Sequence, residues 1–309
     1  MSDFDALFQR PVSYQPSSCG RKLQNITVCG VINPLGSADD DAVRMLSLVL
    51  RLPAMKALGF DAEASSAIIS AARHCHYTKP AIEHLTVYDY SMRRPEIRWH
   101  RTLADVLRLL AGSLTRLLVR SLADFSTVAA LSLPRLEIFE GPLSLLCCFV
   151  DHTIKRLRNI IVTETLCEMD HLVRVAERSK GMTSVKVLRL NVVHLEAEVF
   201  LRLLRSVPEM EILHLESEYE DIAQHGTMHN VVTFLPKLKE LHLFGFRAAP
   251  SSSLLDQEIR SLLIKWKADY CVGLMYARFN NTQSWRWEEL KKSWSSVKEG
   301  AITIEELLS

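Results

Sequence analysis

The sequence has no excess of either charge: 37 Lys and Arg stand against 36 Asp and Glu, leaving a formal +1 over 309 residues. That balance supplies no attraction toward nucleic acid or an anionic membrane surface, so neither is expected as a partner. No apolar run approaches the ~18 residues of a membrane span; the longest, Leu143 to Val150, has Ser144 inside it. The start, Met1-Ser2-Asp3-Phe4-Asp5, is acidic where a secretory signal is basic and then apolar. An intracellular protein, cytoplasmic or nuclear, is therefore expected. Disulfides and zinc knuckles lack their signatures as well. The cysteines, at 19, 29, 75, 147, 148, 167 and 271, are odd in number and irregular in spacing, with no C-x-x-C pair. Buried reduced thiols fit that pattern.

Chemistry is equally short of motifs. Phosphate-binding glycine loops, the nucleophile elbow G-x-S-x-G and the helix H-E-x-x-H are all missing. His74-Cys75-His76 is the most metal-like cluster, but adjacent ligands on a helix end point to different sides, and no second pair stands at zinc spacing. His225 and His229 have i, i+4 spacing, yet Gly226 weakens a helix there and no Glu or Asp accompanies them at motif spacing. No catalytic residue, cofactor or metal ligand is assigned, and a non-enzyme is expected.

What the chain does have is a recurring phrase, L-x-x-L-x-L, in an ordinary globular composition of 48% apolar and 24% charged residues. The clearest copies are Leu238-Lys239-Glu240-Leu241-His242-Leu243 and Met210-Glu211-Ile212-Leu213-His214-Leu215, introduced by Leu235-Pro236 and Val207-Pro208. Others begin at Leu23, Met55, Ile82, Leu114, Leu157 and Val185. The fifth copy has two registers three residues apart, starting at Leu133 or at Leu136. With Leu136 the steps are 32, 27, 32, 22, 21, 28, 25 and 28 residues.

Helix-like segments fill most of these gaps. Asp39 to Leu50 sets Ala42, Met45, Leu46 and Val49 on one face; Ala62 to His76 is rich in Ala and Ile. Thr102 opens a segment with Leu103, Val106, Leu107 and Leu110 aligned. Thr163 to Lys180 aligns Leu166, Met169, Val173 and Ala176 before Gly181, Leu195 to Ser206 aligns Val199, Leu203 and Leu204, and a last helix starts at Ser253. Strand, turn and helix repeated about nine times predict an α/β leucine-rich repeat solenoid, with a parallel sheet on the concave side and helices on the convex side. A doubly wound α/β domain also alternates strands and helices, but its strands are solid apolar runs. Here Asn25, Thr27, His84, Thr86, Glu240 and His242 interrupt them, so one sheet face meets water.

The expected organisation is a leader or N-terminal cap over 1–20, an array of nine or ten units over 21–279, and a C-terminal cap or tail over 280–309. Cys271 to Tyr276 is a candidate further strand. Trp285, Trp287 and Trp294 suit the covering of an open core end; a Trp-lined binding site is the sharper reading.

The L-P-x-L-x-x-L-x-L phrase resembles the leucine-rich regions of F-box proteins, those of fungi above all. Leu52-Pro53, Leu133-Pro134, Val207-Pro208-Glu209-Met210 and Leu235-Pro236-Lys237-Leu238 carry the resemblance, which covers about residues 21–279. It implies substrate recruitment for a ubiquitin ligase through the curve of the repeats. Docking on the ligase adaptor belongs in that family to an N-terminal helix bundle opening with L-P-x-E, a phrase not found in residues 1–22, so that partner is expected only if an F-box is supplied upstream.

Side-chain alternation in a strand puts the residues between the marks on the concave face. That expectation selects His84, Thr86, Tyr88, Arg116, Leu118, Arg120, Asn159, Ile161, Arg189, Ile212, His214, Glu216, Glu240, His242 and Phe244 as a protein-binding surface. A purely solvated face would hold fewer of Tyr88, Leu118, Ile161, Ile212 and Phe244. The acidic run Glu216, Glu218, Glu220 and Asp221 reads as a solvated loop or as an attraction for a basic peptide. A monomeric recognition scaffold with a protein partner is the leading expectation. A GTPase-activating or other regulatory repeat protein, or a truncated F-box protein fragment, are the alternatives.

Overall fold

A computed structural model describes residues 25–28, 47, 50, 55–61, 68–71, 81–88, 99–121, 124–163, 169–192, 196–217, 232–244, 253–279 and 283–297. The 1–20 leader, the clusters at 74–76 and 225–229, residues 218–221 and most of the two earliest helix segments lie outside them.

Twelve strands form one sheet whose spatial order is the chain order. They are β1 (Asn25–Val28), β2 (Ala57–Asp61), β3 (His84–Tyr88), β4 (Arg116–Arg120), β5 (Ile138–Gly141), β6 (Asn159–Val162), β7 (Val187–Val192), β8 (Ile212–Ser217), β9 (Glu240–Phe244), β10 (Tyr276–Phe279), β11 (Gln283–Glu288) and β12 (Ser293–Val297). Strands β1 to β10 run parallel to their neighbours, and β11 and β12 close the series as an antiparallel pair. Among the described residues, the helices with both ends defined are α1 (Trp99–Leu110), α2 (Leu143–Cys147), α3 (Asp151–Ile154), α4 (Met169–Arg178), α5 (Ala197–Ser206) and α6 (Ser253–Asp269). The fold is thus α/β with a long, open, mostly parallel sheet.

The leucine phrase builds this sheet through its three marks. First marks Met55, Ile82, Leu114, Leu136, Leu157, Val185, Met210, Leu238 and Leu274 are all buried, as are second marks such as Leu85, Leu188, Leu213 and Leu241 and third marks such as Val87, Leu190, Leu215 and Leu243. Three residues before the first mark sit Leu133, Ile154, Met182, Val207, Leu235 and Cys271, again buried. From each of these a carbonyl accepts the N–H of the first mark, at 2.9–3.2 Å. This recurring turn explains the Leu-Pro pairs: proline at the second turn position has its φ already set and no N–H to leave unpaired.

Among the described residues the helices pack their apolar sides against the buried marks. On α1 the expected residues Leu103, Val106, Leu107 and Leu110 face the core, although the helix begins at Trp99 rather than at Thr102, which falls inside its first turn. Helix α4 ends in a paired-carbonyl stop. The Gly181 N–H reaches Ala176 O at 2.8 Å and the Lys180 N–H reaches Glu177 O at 3.0 Å, with Lys180 at φ 58° and Gly181 at φ 97°. The left-handed residue at the stop is therefore Lys180 as well as the glycine read as the stop signal. Among the described residues the two short steps hold turns, the isolated bridge between Leu131 and Phe149, and the brief helices α2 and α3.

The fifth copy takes the Leu136 register. Phe139 becomes its second mark and Gly141 its third, with Phe139 packed edge-on against Phe149 at 5.2 Å between centroids. A Cβ on Gly141 would lie 3.0 Å from Phe139 Cζ and 3.4 Å from Val119 Cβ. The large ring at one mark requires the missing side chain at the next.

Two stability outcomes follow from the columns. Leu241→Ala is expected to cost about 2–5 kcal/mol, whereas Met210→Leu costs less than about 1.5 kcal/mol, both read by denaturant titration. Gly141→Ala is expected to destabilise by about 1–3 kcal/mol, and Phe139→Leu in the same chain to relieve part of that loss. Additive losses in the double variant would show that the ring and the glycine are not coupled.

Candidate functional site: the open face of the sheet

Residues between the marks fall on the face away from the helices, and in-register pairing lines them up in rows. One row reads His84, Arg116, Ile138, Asn159, Val187, Ile212, Glu240, Tyr276 across β3 to β10. The next reads Thr86, Leu118, Glu140, Ile161, Arg189, His214, His242, Arg278. A third, incomplete row pairs Tyr88 with Arg120, and Asn191 with Glu216 and Phe244. All fifteen residues selected from the sequence lie in these rows.

In the middle of the face Glu140 stands between Leu118 and Ile161, with Arg116 and Arg120 on β4 and Arg189 on β7 around it. Burial pushes its carboxyl above the usual range, and this outweighs the pull of Arg120, Arg116 and Arg189. None of the three arginines makes an ion pair among the described residues. They are half-buried or exposed, with their charge turned outward.

Toward the C-terminal end the face carries a ring stack. His214 lies on Phe244 at 4.5 Å between centroids and against His242 at 5.6 Å, and His242 meets Tyr276 at 5.1 Å. The Arg278 guanidinium sits 5.0 Å over Phe244, and Glu240 Oε2 is 3.4 Å from His242 Nε2. Desolvation, with Arg189, His242 and Arg278 nearby, brings His214 down to about 3, so its ring is neutral. Its buried Nε2 has no hydrogen-bond partner among the described residues.

Three selected residues are less available than a contact surface requires. Ile161, His214 and His242 are only 7%, 7% and 8% exposed, because same-face neighbours cover them. Six residues of the rows are not among the fifteen: Ile138, Glu140, Val187, Asn191, Tyr276 and Arg278. Ile138 and Glu140 follow from the Leu136 register. Tyr276 and Arg278 belong to a copy, Leu274-x-x-Ala277-x-Phe279, disguised by alanine at its second mark; the strand lies at Tyr276–Phe279, not at Cys271 to Tyr276.

The C-terminal tryptophans serve packing. Trp266, Trp285 and Trp294 are buried, Trp287 meets Trp294 edge-on at 5.7 Å, and Lys267 and Arg260 lie over Trp287 and Trp285. The sheet therefore runs on through 283–297, within the segment read as a cap or tail.

On the helical side a cleft of about 890 Å3 is lined by Asp124, Ser144, Cys147, Cys148, His171 and Arg178, among others. Its polar groups hold the chain together. Arg178 donates to Asp151 Oδ1 at 3.2 Å and to the carbonyls of Cys147 and Phe149 at 3.2 and 2.6 Å. The Cys148 thiol, pushed up to about 11 by burial, donates to Phe125 O and Ser144 O at 3.3 Å. A thiol held protonated is a poor nucleophile. Among the described residues no group of three His, Cys, Asp or Glu is placed to hold a metal, and no helix is long and apolar enough to cross a membrane.

Compared with known proteins, the chain matches no protein-family model and no curated protein sequence.

The ring stack makes a pH-dependent prediction. Unfolded, His214 takes up a proton near its ordinary 6.5; folded, it does so only near 3. Between those values the unfolded state binds the extra proton, so stability falls as pH falls. From pH 6.5 to 5 the loss amounts to about 2 kcal/mol. His214→Phe keeps the stack and removes the proton site, so its unfolding midpoint should fall less over that interval. Equal slopes for variant and parent would show that His214 does not set the acid sensitivity.

Proposed function

We propose that this chain is a leucine-rich repeat solenoid resembling the recruiting region of F-box proteins, and that it binds a protein partner, without catalysis, through the open face of its sheet. The observation that carries the reading is the composition of the in-register rows. Half-buried aliphatic, aromatic and arginine side chains stand side by side across β3 to β10, where a face meeting only water would be uniformly polar. Interfaces are enriched in this mixture, since arginine and aromatic groups supply area and directional contacts together. The sheet presents them from strands, which position side chains more rigidly than loops. An F-box supplied ahead of the array would make the same face the substrate-recruiting surface of a ubiquitin ligase.

The test uses the full chain immobilised against a displayed library of random peptides. Sequences should enrich on the parent chain, and Arg116→Glu, Arg120→Glu and Arg189→Glu combined should reduce their capture at least about tenfold. Circular dichroism should be unchanged, because all three side chains lie off the core, while repulsion with Glu140 lowers the melting midpoint only modestly. Capture that survives the triple substitution would remove the open face as the site.

A further inference from the structure

The whole chain is nearly neutral, yet the middle of its open face is not. Arg116, Arg120 and Arg189 stand around Glu140, three positive charges to its one negative. Their floor is aliphatic: Leu118 and Ile161 flank Glu140 in its row, and Ile138 lies beside it on the same strand. The spacing is regular. Arg116 and Arg120 are four residues apart on β4, roughly 13 Å at a strand's rise per residue. Arg189 stands three strands away, roughly 14 Å at ordinary strand separation. Along the strands or across them, the backbone positions that carry the arginines are about one four-residue extended span apart.

We propose that this patch receives an extended, acidic segment of a partner protein, carrying two carboxylates about four residues apart with aliphatic side chains between them. The proposal rests on the partner-binding reading above and names the chemistry of the partner. The arginines receive the two carboxylates at the rim, while the half-buried Leu118 and Ile138 receive the aliphatic residues. Glu140 determines the pattern. Its charge at the centre repels a carboxylate placed there and leaves an apolar residue as the acceptable occupant, so acids are admitted only at the flanks. A basic segment meets three arginines for one glutamate and is disfavoured.

Fluorescence polarisation with the full chain tests this, using a labelled peptide with two aspartates four residues apart and leucine and valine between them. Versions with asparagine, and with lysine, at the two acidic positions serve as comparisons. The acidic peptide should bind at least roughly tenfold tighter than either, and more weakly as salt is raised. Arg189→Glu should weaken it by a similar factor. Glu140→Gln, nearly isosteric, should tighten it and should let a third aspartate at the peptide's centre be tolerated. The proposal fails if the lysine peptide binds as well as the acidic one, or if Glu140→Gln weakens binding while the melting midpoint is unchanged. If library peptides depend on the open-face arginines but show no acidic preference, partner binding stands and the acidic pattern falls. If neither set depends on the arginines, both fall.

Discussion

The arrangement depends on one backbone interaction repeated along the sheet. The residue after each first mark offers its carbonyl to two N–H groups of the next copy. Glu83 O accepts from Thr115 and Arg116, Glu137 O from Arg158 and Asn159, and Glu211 O from Lys239 and Glu240, all at 2.7–3.2 Å. This shared acceptor sets each strand against its predecessor without offset. Every later alignment follows from it: marks stack on marks, and the residues between them stack on their counterparts. A slip of one residue would turn each strand's leucines to water and its charges to the core.

The side chains of those same residues repeat the message in ionic form. Lys56 meets Glu83 at 2.7 Å, and Glu211 lies between Lys186 at 2.7 Å and Lys239 at 2.5 Å. The hydrogen bond from Lys56 holds the Glu83 carboxyl below the usual range, and those from Lys186 and Lys239 do the same for Glu211. Exposed pairs of this kind contribute little stability, about 0–1 kcal/mol each. Their value lies in register, since a strand shifted by one residue would separate each lysine from its glutamate. The sequence reading passed over them because they occupy the least conspicuous place in the phrase.

What was legible in the sequence was whatever the core enforces. Leu238, Leu241 and Leu243, with Met210, Leu213 and Leu215, could be named as core because burial tolerates few residue types at each mark. Leu-Pro announced the turn because proline suits its second position. Legibility failed where one residue compensated for another. Phe139 beside Gly141, and Ala277 before Phe279, keep the core filled while breaking the leucine pattern. The open face was legible as a list, through the alternation of strand side chains, but its internal organisation was not. Alternation cannot say that Phe244 and His242 cover His214, or that Glu140 loses its water between Leu118 and Ile161.

Composition misleads at this level for a physical reason. A formal charge of +1 is a sum over the chain, whereas a partner senses charge only within roughly a Debye length, about 8 Å at physiological salt. Arg116 and Arg120 on β4 lie four and five strands from Glu216 on β8 and Glu240 on β9, or roughly 19–24 Å at ordinary strand spacing. Over that distance Glu216 and Glu240 cannot neutralise Arg116 and Arg120, whereas Arg189 on β7, one strand from Glu216, is within reach of its charge. The ring stack shares β8 and β9 with those glutamates, and with His214 kept uncharged it adds no positive charge from that imidazole. A neutral protein can therefore present two separate electrostatic environments on one sheet, because a long parallel sheet spreads its residues over tens of ångströms.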